Sequence, residues 1–433
     1  MEVRDTIRTE QLAAYEEALK PLKAQRKKGS RGMRIFLLIC VIFGGFIGFF
    51  GAMTVDKLDL ELAIQPPFPL PEKLGFLYVF AFLAAYFLML VLHTIIHEGG
   101  HLLFGIMTGY QFLSFRVFSF TIVKKDGKLM RKRLKVPGTL GQCLMIPPEW
   151  SEETAYPYVW YNLGGGVMNI LACLLVMPLL LAKNPFWVWF AGFFLFWGFI
   201  FAFSNLIPMS IGVPNDGKNC LACKRSRTSR KAFYLQLKIN ALLSSGVSFA
   251  ELPDDLFEVS GDEPLDMLTA YIRLLRYYRY LQKGEEKLAE ELLTEIGQQV
   301  QNPPLGFVNG LDLERFDRLV LTKAPLEQIA AYYNVLCPIL TQGKDISILR
   351  IRYAYLLFLS DEDRERVDWL AASRKGKLPK KLPKSKAVTA EAVFADMQKA
   401  SNKHPVPGEA ALFMELARMV KEKADAGKAL EAK

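Results

Sequence analysis

Cysteine is sparse in this chain and forms no framework. Its six copies, Cys40, Cys143, Cys173, Cys220, Cys223 and Cys337, are scattered among apolar runs and charged stretches, which argues against a disulfide scaffold. Cys220 and Cys223 make a lone CxxC with no second pair, a weak signal for a second zinc site. No apolar run occupies the first 34 residues, so no cleavable signal peptide is read there. An acidic surplus is missing too: 54 Lys and Arg outweigh 44 Asp and Glu, leaving a net charge of +10. Such a balance suits nucleic acid or a membrane surface. Because the basic residues crowd beside apolar runs, it reads as a membrane collar and not as a nucleic-acid surface.

Apolar residues are plentiful. They make up 51% of 433 residues, give a mean hydropathy of +0.16, and concentrate in the first half. That is too apolar for an ordinary soluble protein of this length. Four runs are long enough to cross a bilayer core of about 30 Å: residues 33–53, about 74–106, 157–182 and 185–207. Basic residues fill the loop 109–156 and the stretch after the fourth run, while the other loops have few. The positive-inside rule then predicts a multi-pass protein of the cell (plasma) membrane with both termini cytosolic.

The expected fold is mainly α. Residues 1–32 read as a basic cytosolic segment and 33–223 as a four-helix transmembrane domain. Residues 224–374 read as a cytosolic helical array of tetratricopeptide-like kind without a strict period. A basic linker and a small helical piece occupy 375–433. Between the second and third runs, FLSFRVFSFTIV and KLMRKRLKV flank Lys125-Asp126-Gly127, the signature of a β-hairpin. It reads either as a plain cytosolic hairpin or as an edge strand that pairs with an extended peptide.

The chemistry centres on HTIIHEGGH, residues 93–101, inside the second run. His97, Glu98 and His101 spell H-E-x-x-H. Positions i and i+4 share a helix face, so the two imidazoles can hold one metal ion, and Glu98 can take a proton from water activated there. Histidine and carboxylate inside a membrane span are costly, which marks them as functional. His93 lies one turn earlier on the same face, as a packed histidine, a partner behind the ligands or a substitute ligand. Gly99 and Gly100 each cost about 1 kcal/mol in a helix interior, a cost that fits a backbone brought close to the metal.

A catalytic zinc needs a third protein ligand and an open position. After the fourth run comes SNLIPMSIGVPNDGKN, residues 204–219, where Pro208, Gly212 and Pro214 break the helix. Asp216 could be a solvated turn residue; opposite an intramembrane HExxH it is read as the third ligand. In the third run, Gly165 and Asn169 share a face. Asn169 could donate to an oxyanion, hold a substrate backbone or simply bridge helices.

HEGGH in one span, GxxxN in the next and N-x-x-P followed by D-G after the last resemble the site-2 protease family of intramembrane zinc metalloproteases. The resemblance covers about residues 74–220. It implies one zinc ion per chain at His97, His101 and Asp216, Glu98 as the base, and Asn169, Asn205 and Pro208 shaping the substrate channel. It also implies a membrane-associated β-structure after His101. One departure stands out: the family's aspartate lies closer to N-x-x-P and precedes two glycines, whereas here SIGVPN intervenes and Lys218 follows Gly217. The expected activity is cleavage of membrane-spanning or membrane-associated proteins or peptides, with a protein partner recruited by the helical domain. The competing reading is a membrane adaptor with a vestigial metal site that acts through that domain.

Overall fold

Two units of chain fold around separate cores: residues 32–241 form one, and residues 1–31 together with 242–433 form the other. The computed structural model describes residues 3–29, 38, 41, 66–125, 127–134, 139–150, 156–211, 213–259, 265–300, 303–382 and 388–431. Except for Leu38 and Val41, the first apolar run (33–53) lies outside them.

The unit 32–241 is built on three helices long and apolar enough to cross a membrane. These are α2 (Leu77–Met107), α3 (Tyr158–Val176, extended by a 3-10 turn to Leu181) and α4 (Pro185–Leu206). Among the described residues they are the only such helices, so the fourth expected span falls on the residues outside that set. Asn184 starts α4 by accepting a hydrogen bond from Phe186 N at 2.9 Å, with Pro185 in the first turn. Leu83, Phe87, Leu88, Leu174, Leu175 and Phe196 are exposed, as lipid-facing positions would be. Inside, Met89, Cys173, Phe194, Leu195 and Trp197 form an apolar cluster. Helices α2 and α3 meet backbone to backbone. A Cβ at Gly164 would lie 2.9 Å from Gly100 O, and one at Gly100 would strike the Gly164 carbonyl. Small residues at a crossing allow this approach where lipid provides no hydrophobic drive.

The chain between α2 and α3 folds into a four-stranded antiparallel sheet of order β3-β2-β1-β4. Its strands are β1 (Gln111–Val117), β2 (Phe120–Lys125), β3 (Lys128–Arg133) and β4 (Gly141–Ile146). The expected hairpin is present as β2–β3, with Gly127 at φ +77° in its turn. The expected first arm, however, folds back on itself at Phe118-Ser119. Phe118 sits at φ 52°, a left-handed conformation that a bulky residue rarely adopts, so no sequence signal marks the break. Among the described residues strand β4 pairs only with β1, which places it at a sheet edge. Helices α5 (Asp216–Arg225) and α6 (Arg227–Ser245) follow α4.

The second unit is all helical. Its elements are α1 (Thr9–Gly29), α7 (Met267–Gln282), α8 (Glu286–Gln299), α9 (Leu305–Leu321), α10 (Leu326–Gln342), α11 (Ile346–Phe358), α12 (Asp361–Ala372), α13 (Ala390–Ser401) and α14 (Pro407–Glu431). The segment expected to stand alone at 1–32 is part of this core. Tyr15, Leu19 and Leu22 of α1 are buried with Phe316, Ile329, Leu336 and Ile351. Arg26 pairs with Asp312 at 2.7 Å. The piece after the linker belongs to it as well, since α13 and α14 both pack against α11.

A buried ion network joins α7, α9 and α11. Arg350 meets Asp317 at 2.6 Å and both Glu314 oxygens at 2.9 and 2.7 Å, while Tyr277 and Tyr278 donate to Glu314 at 3.1 and 2.9 Å. Arg350→Met would strand two buried carboxylates, and a loss of about 3–5 kcal/mol is expected in denaturant unfolding of the full chain. Adding Glu314→Gln and Asp317→Asn should recover much of that loss. No recovery would mean that the stranded charges are not its source.

Candidate metal centre

Two stripes at i, i+4 and i+8 face each other across the glycine crossing. His93, His97 and His101 lie on α2; Tyr161, Gly165 and Asn169 lie on α3. His101 Nδ1 is 2.7 Å from the Tyr161 carbonyl oxygen, which can only accept, so Nδ1 donates. His97 Nδ1 is 3.1 Å from Asn169 Oδ1 and donates to it. In neutral rings with the proton on Nδ1, the two Nε2 lone pairs would face each other across 3.1 Å.

Asp216 completes a triangle, its Oδ2 lying 3.3 Å from His97 Nε2 and 3.4 Å from His101 Nε2. Ligand atoms bonded at about 2.0–2.2 Å around a four-coordinate ion stand about 3.3–3.6 Å apart, so the two edges to Asp216 match a metal and the 3.1 Å edge between the imidazoles falls slightly short of it. Asp216 Oδ2 is closed off from solvent and makes no hydrogen bond among the described residues. Three acceptors facing one another without a proton between them would repel, and a cation at their centre removes the conflict. Burial alone would push the Asp216 carboxyl up. The two imidazoles beside it counter that penalty when they carry a proton, and a cation at the centre would do the same, either of which favours the ionised carboxylate. Gly165 leaves the room: a Cβ there would lie 2.6 Å from His101 Nε2 and 2.7 Å from His97 Nε2.

The inserted SIGVPN closes on itself and so brings Asp216 back. Strands β5 (Ser210–Ile211) and β6 (Val213–Pro214) pair, and Asn215 locks the excursion. Its Nδ2 donates to the carbonyls of Ser204 and Ile207, both at 2.6 Å, which the end of α4 leaves free. Its Oδ1 accepts from Met209 N at 3.1 Å and from Lys218 N at 2.9 Å, the latter capping α5. Gly217 lets α5 press onto α4, since a Cβ there would lie 2.9 Å from Asn205 O.

Glu98 shares a cavity of about 570 Å³ with His97, His101 and Asp216. Strand β4 forms one wall, and a Cβ on Gly141 would strike the Glu98 carboxylate. Arg116, buried in β1, ties this wall down by donating to Gly141 O at 3.1 Å and to the Thr139 hydroxyl. Of the residues expected to shape a channel, Asn205 lines the cavity, whereas Asn169 and Pro208 do not. Both ends of the Asn169 amide are engaged by His93 and His97. Pro208 follows the end of α4. His93 is fully buried, away from the cavity. Sequence reasoning missed Asn215, Gly141 and Arg116; only Asn215 carried a readable signal, as the cap residue before Asp-Gly. Comparison with protein-family models, curated proteins and solved structures finds no match.

The glycines separate two outcomes. Gly165→Ala is expected to abolish stoichiometric metal binding in the purified chain. Gly99→Ala, whose Cβ meets nothing within 4 Å, should bind normally and gain up to about 1 kcal/mol. Asn215→Ala should weaken metal binding about tenfold or more, because the third ligand then hangs on a loosened loop. Unchanged binding in Gly165→Ala would move the metal away from the His97–His101 pair.

Proposed function

We propose that this chain is an intramembrane zinc endopeptidase cutting membrane-spanning or membrane-associated polypeptides. One observation carries the reading: three ligand atoms converge beside Glu98, within a helix long and apolar enough to span a bilayer. Two imidazoles and a carboxylate with room for a fourth ligand suit zinc better than calcium or magnesium, which favour all-oxygen shells. Zinc bound there would supply Lewis acidity, easing deprotonation of water and polarising the scissile carbonyl.

The chain's own residues do the rest. Glu98 takes the proton from the attacking water and returns it to the departing amine. A helical substrate must first unwind, because its amides are tied up in their own hydrogen bonds. The free edge of β4, held by Arg116 along the Glu98 wall, offers main-chain groups to an extended segment. Leu140, Ile200, Phe201, Met209 and Phe233 line the same cavity and favour apolar side chains there.

A parity argument supports four spans. The helical unit draws on both chain ends, α1 sharing a core with α9, α10 and α11, which supports the reading that both ends lie on one side of the membrane. Three crossings would separate them, and a fourth by the apolar run 33–53 restores the match. The basic stretches 109–156 and 218–231 favour the cytosol for that side. The helical unit, read as a tetratricopeptide-like array, would recruit a protein partner or substrate.

Glu98→Gln separates catalysis from assembly. It should retain about one zinc per chain while cleavage of a membrane-tethered reporter falls by about 10²–10⁴-fold. Full cleavage by that variant would remove Glu98 as the base, whereas a zinc-loaded wild type that cleaves nothing would favour the adaptor reading. Tags on the two termini should both be shielded in sealed, right-side-out cells and accessible after permeabilisation.

A further inference from the structure

We infer that His93 and Asn169 form a positioning pair for His97, fixing which ring nitrogen faces the metal and how firmly the ring is held. The inference rests on the metal site proposed above and concerns what lies behind it. His93 and Asn169 each have 0% exposure, and neither lines the cavity, so substrate does not reach them. Polar side chains this deep among membrane helices are costly and need a use.

The orientation of the Asn169 amide follows from its partners. Its nitrogen end is 3.3 Å from the His93 backbone carbonyl, which can only accept, and 3.0 Å from His93 Nδ1. That end therefore donates, and Oδ1 must face His97 Nδ1. The consequence at His97 is a protonated Nδ1 and an Nε2 lone pair aimed at His101 and Asp216. His93 is itself wedged in place. Its ring lies 4.3 Å from that of Phe194, and a Cβ on Gly198 would come within 2.8 Å of its Cε1. His93 stands outside the cluster formed by His97, His101 and Asp216 and does not line the cavity, so it is not a substitute ligand in this arrangement.

The two ligand histidines are thus supported unequally. His101 leans on the Tyr161 backbone carbonyl, which no side-chain substitution removes. His97 leans on a side chain that leans on another side chain. Outer partners of metal-bound histidines contribute about 10–100-fold in affinity, and here that contribution is concentrated on one ligand. His93 acts only through Asn169, so its effect should vanish when Asn169 is gone.

The test uses the full detergent-purified chain and measures Zn²⁺ affinity by competition with a chromophoric chelator, together with the visible spectrum of the Co²⁺-substituted protein. Asn169→Leu should weaken zinc binding about 10–100-fold and alter the cobalt spectrum. His93→Phe should weaken it less, and the double variant should match Asn169→Leu alone. If Asn169→Leu does not fold, Asn169→Ala carries the same comparison. Wild-type affinity and spectrum in either single variant, or additive losses in the double, would overturn the pairing while leaving the metal site standing. A lowered melting temperature with unchanged affinity would also overturn it, since that marks a packing role. Absence of zinc from the wild type after reconstitution would overturn the site and the pairing together.

Discussion

Everything in the membrane unit depends on how close α2 and α3 can come. At Gly100 and Gly164 the two backbones touch, and that approach lets α3 hold the histidine rings of α2. A turn along α3 in either direction, Tyr161 O and Asn169 hold the Nδ1 atoms of His101 and His97, and Gly165 between them leaves the space their Nε2 atoms need. A larger residue at the crossing would part the helices by more than a hydrogen bond can stretch. His97 and His101 would then lose both their tautomer and their aim.

This arrangement also answers the cost of placing polar groups at membrane depth. An unpartnered histidine in hydrocarbon is expensive, yet here the ring nitrogens facing α3 meet an acceptor or donor on that helix. The remaining conflict, three acceptors turned toward one point, is the one a cation resolves. Glu98 escapes the same cost differently: it faces a cavity that water can fill, walled by β4 and not by lipid. The sheet thus has a physical reason to lie where it does, because backbone at membrane depth is tolerated only against protein or water.

Legibility in the sequence followed the range of the interaction. The HExxH pair is local, four residues apart on one helix, and was readable at once. Asp216 was readable by chemistry and not by spacing: the six-residue insertion looked like a departure, but it is a closed hairpin whose ends meet at Asn215. The Asp-Gly turn announced β2–β3. The reversal at Phe118 could not be read, since a phenylalanine in left-handed conformation leaves no local mark and is held by Arg116 and by pairing with β4. Asn169 was picked out correctly as a polar residue needing a partner. Which partner it finds depends on His93, seventy-six positions away in sequence.

The N-terminal segment failed to read for a deeper reason. Its basic residues suggested a membrane collar, and α1 does carry a charged face, but Tyr15, Leu19 and Leu22 lie on the other face at helical spacing. Their partners are about three hundred residues downstream; Gln11, for example, donates to Glu327 across a separation of 316 positions. A contact this remote in sequence forms only after the intervening chain has been made, and closing such a loop is slow. The apolar face of α1 must therefore wait, uncovered, while the membrane unit is synthesised. The helical unit becomes complete last, from the two ends at once. Loss of the helices between Leu305 and Ala372 would accordingly expose the apolar face of α1, and α1 is best regarded as part of that distant structural element.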